Sequence, residues 1–142
     1  MNLPLLQVRE LEVKYRVRDG ILTAIRNASF EVHRGEIVGI VGESGCGKST
    51  VAAAVMRLLS PNGQISAGQI LLNGQDLAQL SQEEMRHLRG REMAMIFQDA
   101  MTSLNPVFRI EEQMVDAQKA HALFPAQRSD QDLRQRAIQI LE

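Results

Sequence analysis

The sequence predicts an α/β fold in which a buried strand enters a glycine-rich loop and leaves it as a helix. The apolar run Ile37 to Val41 is the predicted strand, and Val51 to Leu59 the predicted helix. Between them stands Gly42-Glu43-Ser44-Gly45-Cys46-Gly47-Lys48-Ser49, of the form G-x-x-x-x-G-K-S. Near-alternation of polar and apolar residues over 5–14 and 21–32 predicts an antiparallel β-subdomain ahead of this core.

Turn signals separate the elements of the first half of the chain. Asp19-Gly20 joins the two N-terminal strands, and Arg34-Gly35-Glu36 turns the chain into the apolar run. The breaker cluster Ser60-Pro61-Asn62-Gly63 ends the helix after the loop. Gln69 to Leu72 leads into Asn73-Gly74, a hairpin signal that returns the chain toward the first strands.

The middle of the chain predicts a short helix and a second buried strand. Ser81-Gln82-Glu83-Glu84 is a capping box that opens a helix ending near Arg89. The spacing is also open to a phosphorylation site at Ser81. Met93 to Phe97 is continuously apolar, which is typical of a parallel strand covered on both faces, and we expect it beside the strand that carries the loop.

Two helices are predicted in the last third. Residues 110–123 form the first, which Pro125 interrupts, and Ser129 caps the second. Apolar residues lie on one face of this last helix: Leu133, Ala137, Ile140 and Leu141. Because it reaches Glu142 without a capping signal, we expect the sequence to be cut inside an element.

Composition limits the class of protein. The chain has 142 residues, 44% of them hydrophobic, a net charge of −1 and one cysteine. It provides no basic field for nucleic acid, no intramolecular disulfide and no apolar run long enough to span a membrane. The start of the chain lacks the basic region of a signal peptide. We therefore expect any membrane association to come through a partner.

The loop predicts binding of nucleotide phosphate. Gly42, Gly45 and Gly47 allow backbone amides to converge on an anion, at the positive end of the following helix. Lys48 would place its ammonium on the β and γ phosphates, and Ser49 is the natural hydroxyl ligand for Mg²⁺. Thr50 is expected at the α phosphate. The alternative is a glycine-rich turn without a ligand.

Cys46 is open to two interpretations. A thiol at a helix N-terminus favours thiolate, but the position also suits an inert loop residue. We expect alkylation of this one cysteine to abolish nucleotide binding by crowding the loop.

With these motifs, the chain resembles the N-terminal part of the ATP-binding subunit of ABC transporters. It is most similar to the importer branch for dipeptides and oligopeptides, with its glutathione and nickel relatives. Besides the loop and the turn before it, the resemblance depends on residues 94–106, which match the branch's glutamine loop. It covers residues 5–142. It implies a RecA-like P-loop NTPase core with an N-terminal antiparallel β-subdomain over 1–98, and a glutamine loop with an incomplete helical subdomain over 99–142.

The resemblance also assigns the ligands, ATP and Mg²⁺. Gln98 resembles the glutamine that reaches Mg²⁺ or the attacking water, and Tyr15 the aromatic residue that stacks on adenine. Simple packing of Tyr15 on its strand is the alternative. The implied catalytic residues are Lys48 and Gln98, and the implied metal ligands are Ser49 and Gln98. The implied nucleotide-binding residues are Tyr15, Gly42, Ser44, Gly45, Cys46, Gly47, Lys48, Ser49 and Thr50.

The partners implied are transmembrane permease subunits and a second ATP-binding subunit, alike or different. Residues 101–106 and the helix after them would meet the permease, or else pack within the helical subdomain. The resemblance implies that the chain is a peripheral subunit on the cytoplasmic face of the inner (plasma) membrane. The function implied is coupling of ATP binding and hydrolysis to solute uptake.

Parts of the family pattern are absent from the sequence. It has no L-S-G-G-Q signature, no apolar strand ending in Asp-Glu and no switch histidine, so we expect no hydrolysis by this chain alone. Asp99 could be mistaken for the metal-binding carboxylate, but Ala100 follows it. His33, His87 and His121 lack metal-ligand spacing. An inactive truncated product and a small P-loop kinase or GTPase are the alternative functions.

Overall fold

The structure, a computed structural model, describes residues 3–99, 103–121 and 129–142. It divides the chain into two compact units, residues 1–89 and residues 90–142. The first unit holds a four-stranded sheet with two α-helices and the short 3-10 helix Leu77–Gln79, and the described part of the second holds a pair of α-helices. The domain boundary after Gln98 stays a prediction.

The sheet of the first unit is antiparallel throughout, in the strand order β2-β1-β3-β4. The strands, in chain order, are β1 Leu6–Val17, β2 Gly20–Val32, β3 Gly63–Leu72 and β4 Gln75–Asp76. The predicted pairing of the two N-terminal segments is confirmed. The predicted hairpin at Asn73-Gly74 is present, but it leads to edge strand β4 on the far side of β3, so the predicted return toward the first strands is wrong. Buried side chains of β1 and β3 form the core of the sheet: Val8, Leu11, Val13 and Ile70.

Helix α1, Lys48–Val55, follows the glycine-rich loop directly and so begins and ends earlier than the predicted 51–59. The carbonyls just beyond its end are held by Arg89, which donates from Nε to Met56 O at 2.9 Å and from Nη2 to Arg57 O at 3.0 Å. A guanidinium suits this end because unpaired carbonyls there carry partial negative charge. Arg57 adopts the left-handed conformation that ends the helix early.

Helix α2, Gln82–Leu88, opens with the predicted capping box. Ser81 Oγ accepts from the amide of Glu84 at 3.2 Å, and the Glu84 carboxylate accepts from the amide of Ser81 at 2.7 Å. Ser81 Oγ also donates to the Glu84 carboxylate at 2.7 Å, and this hydrogen bond, followed by that of the Ser81 amide, lowers the pKa of Glu84. Met85 is fully buried, and this anchors the helix.

The second unit contains α3, Ile110–Ala120, and α4, Asp130–Leu141. Both predicted helices are present, and Ser129 caps α4 as expected. The predicted end of the first helix at residue 123 and the break at Pro125 lie outside the described residues. Gln118 Nε2 donates to Leu133 O at 3.1 Å and so joins the two helices.

The predictions of two buried strands, at residues 37–41 and 93–97, are wrong. Residues 37–41 and 93–97 form no strand ladder, and both runs are largely exposed, with Ile37 and Ile96 each 98% accessible. A parallel strand takes its hydrogen bonds and its cover from elements distant in sequence. Such partners do not occur in the described part of the chain, so apolar character alone does not produce a strand here.

Candidate phosphate-binding loop and nucleotide site

The glycine-rich loop, residues 42–47, runs from the exposed apolar run into α1. Gly45 has φ 79° and Gly47 has φ 99°, in the left-handed region that residues with a Cβ adopt at a cost. Gly47 is also the N-cap of α1 and accepts from the amide of Val51 at 2.9 Å. Glycine at these two positions therefore lets the chain turn tightly enough to begin the helix at Lys48.

Lys48 folds its side chain back over the loop. Its Nζ donates to Gly42 O at 2.8 Å and to Glu43 O at 2.6 Å, and it lies 3.5 Å from Cys46 Sγ. The ammonium is thus held over the loop that precedes its own helix, by carbonyls rather than by an acidic side chain. A phosphate entering here would meet a positive charge that no carboxylate in these contacts neutralises.

The first turn of α1 supplies further donors. Within the part of the chain that the structure describes, the amides of Lys48, Ser49 and Thr50 donate to no acceptor. A helix N-terminus always leaves such groups without intrahelical partners, and the helix dipole adds about half a positive charge there. Ser49 is exposed in this turn, and Thr50 is partly buried. The loop and turn together present ammonium, amide and hydroxyl groups to one ligand.

The loop packs against the sheet at Gly47. A Cβ on this glycine would lie 2.9 Å from Ala24 O and 3.4 Å from Ile25 Cγ1. On the sheet, Ile25 pairs with Val13 of β1, and Tyr15 lies two residues farther along the same strand. Two residues of a strand span about 7 Å. The loop and Tyr15 are therefore close along the same pair of strands.

Tyr15 lines a surface cavity of about 380 Å³. This volume is within the range of small-molecule sites, about 300 to 1,000 Å³. The other lining residues are Lys14, Arg16, Ile21, Pro61, Asn62, Gly63 and Gln64. These residues could not be found from the sequence, because β1 meets the start of β3 only through strand pairing, for which no local motif exists. Lys14 forms a 2.6 Å ion pair with Glu12, and this hydrogen bond, followed by that of Ser66, lowers the pKa of Glu12.

The predicted site residues do not all fall in one unit. Gln98 is exposed and belongs to the second unit, whereas the loop belongs to the first. Asp99 precedes residues 100–102, which lie outside the described residues along with the predicted permease contact at Met101. Among residues 3–99, 103–121 and 129–142, no three His, Cys, Asp or Glu side chains group closely enough to hold a metal ion.

Comparison with known families assigns the chain to a family. The family model described as ABC transporter matches residues 25–141, which include the loop, α1 and both helices of the second unit. The chain belongs to the ABC transporter family. This favours the transporter interpretation over a small P-loop kinase or GTPase.

The relatives of this chain include ATP-binding proteins of peptide transport. The chain is 40% identical over 139 residues to the oligopeptide transport ATP-binding protein OppD of Bacillus subtilis, and the match covers 97% of this chain and 38% of that protein. It is 42% identical to the probable D,D-dipeptide transport ATP-binding protein DdpD of Escherichia coli K12, covering 100% and 42% respectively. The chain therefore spans about two fifths of the length of these curated relatives.

Solved structures confirm the fold class. The ATP-binding cassette MJ0796, in a dimeric post-hydrolysis state bound to ADP and Pi, superposes with a TM-score of 0.77 at 21% identity. The match covers 96% of this chain and 55% of the cassette. The fold of this chain is thus that of an ATP-binding cassette. As for membrane crossing, no helix in the described part of the chain combines the length and apolarity that it requires.

Proposed function

We propose that the chain is the nucleotide-binding part of an ATP-binding subunit of a peptide-type ABC importer. Such a subunit couples ATP binding and hydrolysis to solute uptake across the inner membrane. The names of the relatives, transport ATP-binding proteins for oligopeptides and a D,D-dipeptide, support this assignment. The substrate class follows from those names alone.

One observation carries the proposal: the loop and the first turn of α1 gather donors with no anionic side chain among their contacts. The Lys48 ammonium lies over the loop, 2.8 Å and 2.6 Å from two of its carbonyls, and three successive amides are without acceptors. This donor set fits a polyphosphate, because each phosphate oxygen accepts from several donors. Ser49 Oγ would be the protein ligand of Mg²⁺, which keeps most of its waters.

Tyr15 would hold the adenine of the same nucleotide. Tyr15 lines the cavity, and it is two residues along β1 from Val13, which pairs with the Ile25 that the loop approaches. A flat aromatic ring binds a base through its face with little discrimination between bases. In this proposal the phosphates supply most of the affinity and Tyr15 orients the base.

Gln98 and the partners belong to the same proposal. Gln98 would reach Mg²⁺ or the attacking water when the site closes. A second ATP-binding subunit would complete the site, and permease subunits would meet residues 101–106 and α3. The subunit would then be peripheral, on the cytoplasmic face of the membrane.

Titration calorimetry with Mg-ATP tests the proposal. Lys48→Ala removes the ammonium and should lower the affinity at least about tenfold, since a hydrogen bond to a charged group contributes about 1.5 to 3 kcal/mol. Lys119→Ala is the matched control. It breaks only an exposed 2.8 Å ion pair with Asp130 in the second unit and should leave the affinity unchanged. Equal affinities for the protein and Lys48→Ala would refute the proposal.

A further inference from the structure

Gly63, at the start of β3, is a glycine for reasons of space rather than conformation. Its φ is outside the left-handed region, so the backbone there would accept a residue with a Cβ. A Cβ would, however, lie 2.5 Å from Cε1, 2.9 Å from Cδ1 and 3.1 Å from Cζ of Tyr15. Gly39 is also outside the left-handed region, and a Cβ there would meet nothing within 4 Å. The Tyr15 ring thus occupies the space that a side chain at residue 63 would need.

The three distances also show how the ring lies. An atom approaching the ring edge would be much closer to one carbon than to its two neighbours. Here Cδ1 and Cζ are only 0.4 Å and 0.6 Å farther than Cε1, by subtraction of the distances above, so the approach is toward the ring face. The backbone of Gly63 therefore lies against one face of the Tyr15 ring, and both residues line the cavity.

The backbone around Gly63 is fixed on both strands. Tyr15 and Gly63 are paired in register across β1 and β3. Arg16 N donates to Asn62 O at 2.8 Å, and Asn62 Nδ2 donates to Arg16 O at 3.0 Å. Gly63 N donates to Ser60 O at 2.8 Å. Because moving the backbone would break these bonds, a methyl group added at residue 63 must displace the ring instead.

We infer that Gly63 is a positioning residue for the nucleotide base, acting through Tyr15. It seats one face of the ring on the β3 backbone, so that the rest of the ring is presented to the cavity at a fixed angle. This inference rests on the proposed function, since it requires that a base stack on Tyr15. Its effect should be confined to the base, because the phosphate loop has no contact with Gly63 in the interactions described above.

The test compares Mg-ATP with Mg-tripolyphosphate, which has the phosphates but no base. Because displacement of the ring weakens its stacking on the base, Gly63→Ala should lower the ATP affinity about tenfold, which corresponds to about 1.4 kcal/mol. The tripolyphosphate affinity should be unchanged. An ATP affinity equal to that of the unmodified protein, or an equal loss for both ligands, would overturn the inference.

A double-mutant cycle separates seating of the ring from a general structural effect. In the Tyr15→Leu background there is no ring to displace, so Gly63→Ala should cause no further loss of ATP affinity. The same tenfold loss in that background would show that Gly63 acts independently of Tyr15 and would overturn the inference.

Tyrosine fluorescence distinguishes failure of the inference from failure of the proposed function. Tyr15 is the one tyrosine of the chain, which has no tryptophan, so the intrinsic emission reports on this ring. Gly63→Ala should change the emission of the nucleotide-free protein, and unchanged emission would contradict the seating. If the unmodified protein bound neither ligand, the proposed function would fail, while the emission would still decide whether Gly63 seats the ring.

Discussion

Cys46 lies in the phosphate loop with its thiol exposed and its Sγ 3.5 Å from Lys48 Nζ. A Cβ on Gly42 would lie 2.6 Å from the same sulfur, so the thiol also lies close to the first glycine of the loop. A group attached to this sulfur would occupy the space in which the loop amides are expected to meet phosphate.

Alkylation of Cys46 with N-ethylmaleimide should therefore lower the Mg-ATP affinity at least about tenfold, a cost of about 1.4 kcal/mol or more. Complete modification is verified by mass spectrometry before titration. Cys46→Ser keeps the size of the side chain, and its affinity should not respond to the reagent. Undiminished binding by the fully alkylated protein would show that the phosphate does not occupy this loop.

Among single residues, the glycine turn that opens α1 could be predicted, and the surroundings of Tyr15 could not. The loop motif is local: each glycine and the lysine act within a few residues of one another, so their spacing is visible in the sequence. Gly63 is 48 positions from Tyr15, by subtraction of their residue numbers, and meets it only through pairing of β1 with β3. A glycine at the end of a breaker cluster indicates a turn, and nothing in that pattern indicates an aromatic ring above it.

Secondary-structure elements could likewise be predicted where neighbouring residues determine them, and not where distant residues do. The capping boxes at Ser81 and Ser129 and the hairpin signal at Asn73-Gly74 act through neighbours, and the elements they predict are present. The runs 37–41 and 93–97 were predicted to be buried strands from apolar character alone. Burial of such a run depends on elements that pack on it, which hydrophobicity does not specify.

The capping box of α2 gives a prediction at this scale. Ser81→Ala removes the acceptor of the Glu84 amide and should lower the free energy of unfolding by about 1 kcal/mol. Ser81→Thr retains a hydroxyl and should lose less. Urea unfolding of the three proteins at neutral pH gives the values. An alanine variant as stable as the parent protein would show that the box contributes nothing to α2.

For the molecule as a whole, the exposed run 37–41 leads directly into the phosphate loop. None of its five amides donates to a backbone carbonyl in the described part of the chain, and Val41 is 91% accessible. Large exposed apolar patches also favour association between proteins. The loop is therefore held in place chiefly at its C-terminal end, by α1 and by the contact of Gly47 with β2.

Hydrogen exchange tests this arrangement. At low protein concentration, the amides of residues 37–41 should exchange rapidly, because they lack hydrogen bonds and are open to solvent. The amides of Val8, Leu11 and Val13 in β1 should exchange slowly, since these residues are in the buried centre of the sheet. Exchange of residues 37–41 as slow as that of the β1 amides would show that the run is paired in a sheet after all.

Amide chemical shifts of the loop test the central claim most directly, that residues 42–50 bind the phosphates of ATP. Nitrogen-15 spectra recorded as Mg-ATP is added should show large shifts for Gly45, Gly47, Lys48, Ser49 and Thr50. Mg-tripolyphosphate should shift the same amides and leave Tyr15 unchanged. If these five signals stayed in place while the protein bound ATP, the nucleotide would lie elsewhere and the account would be contradicted.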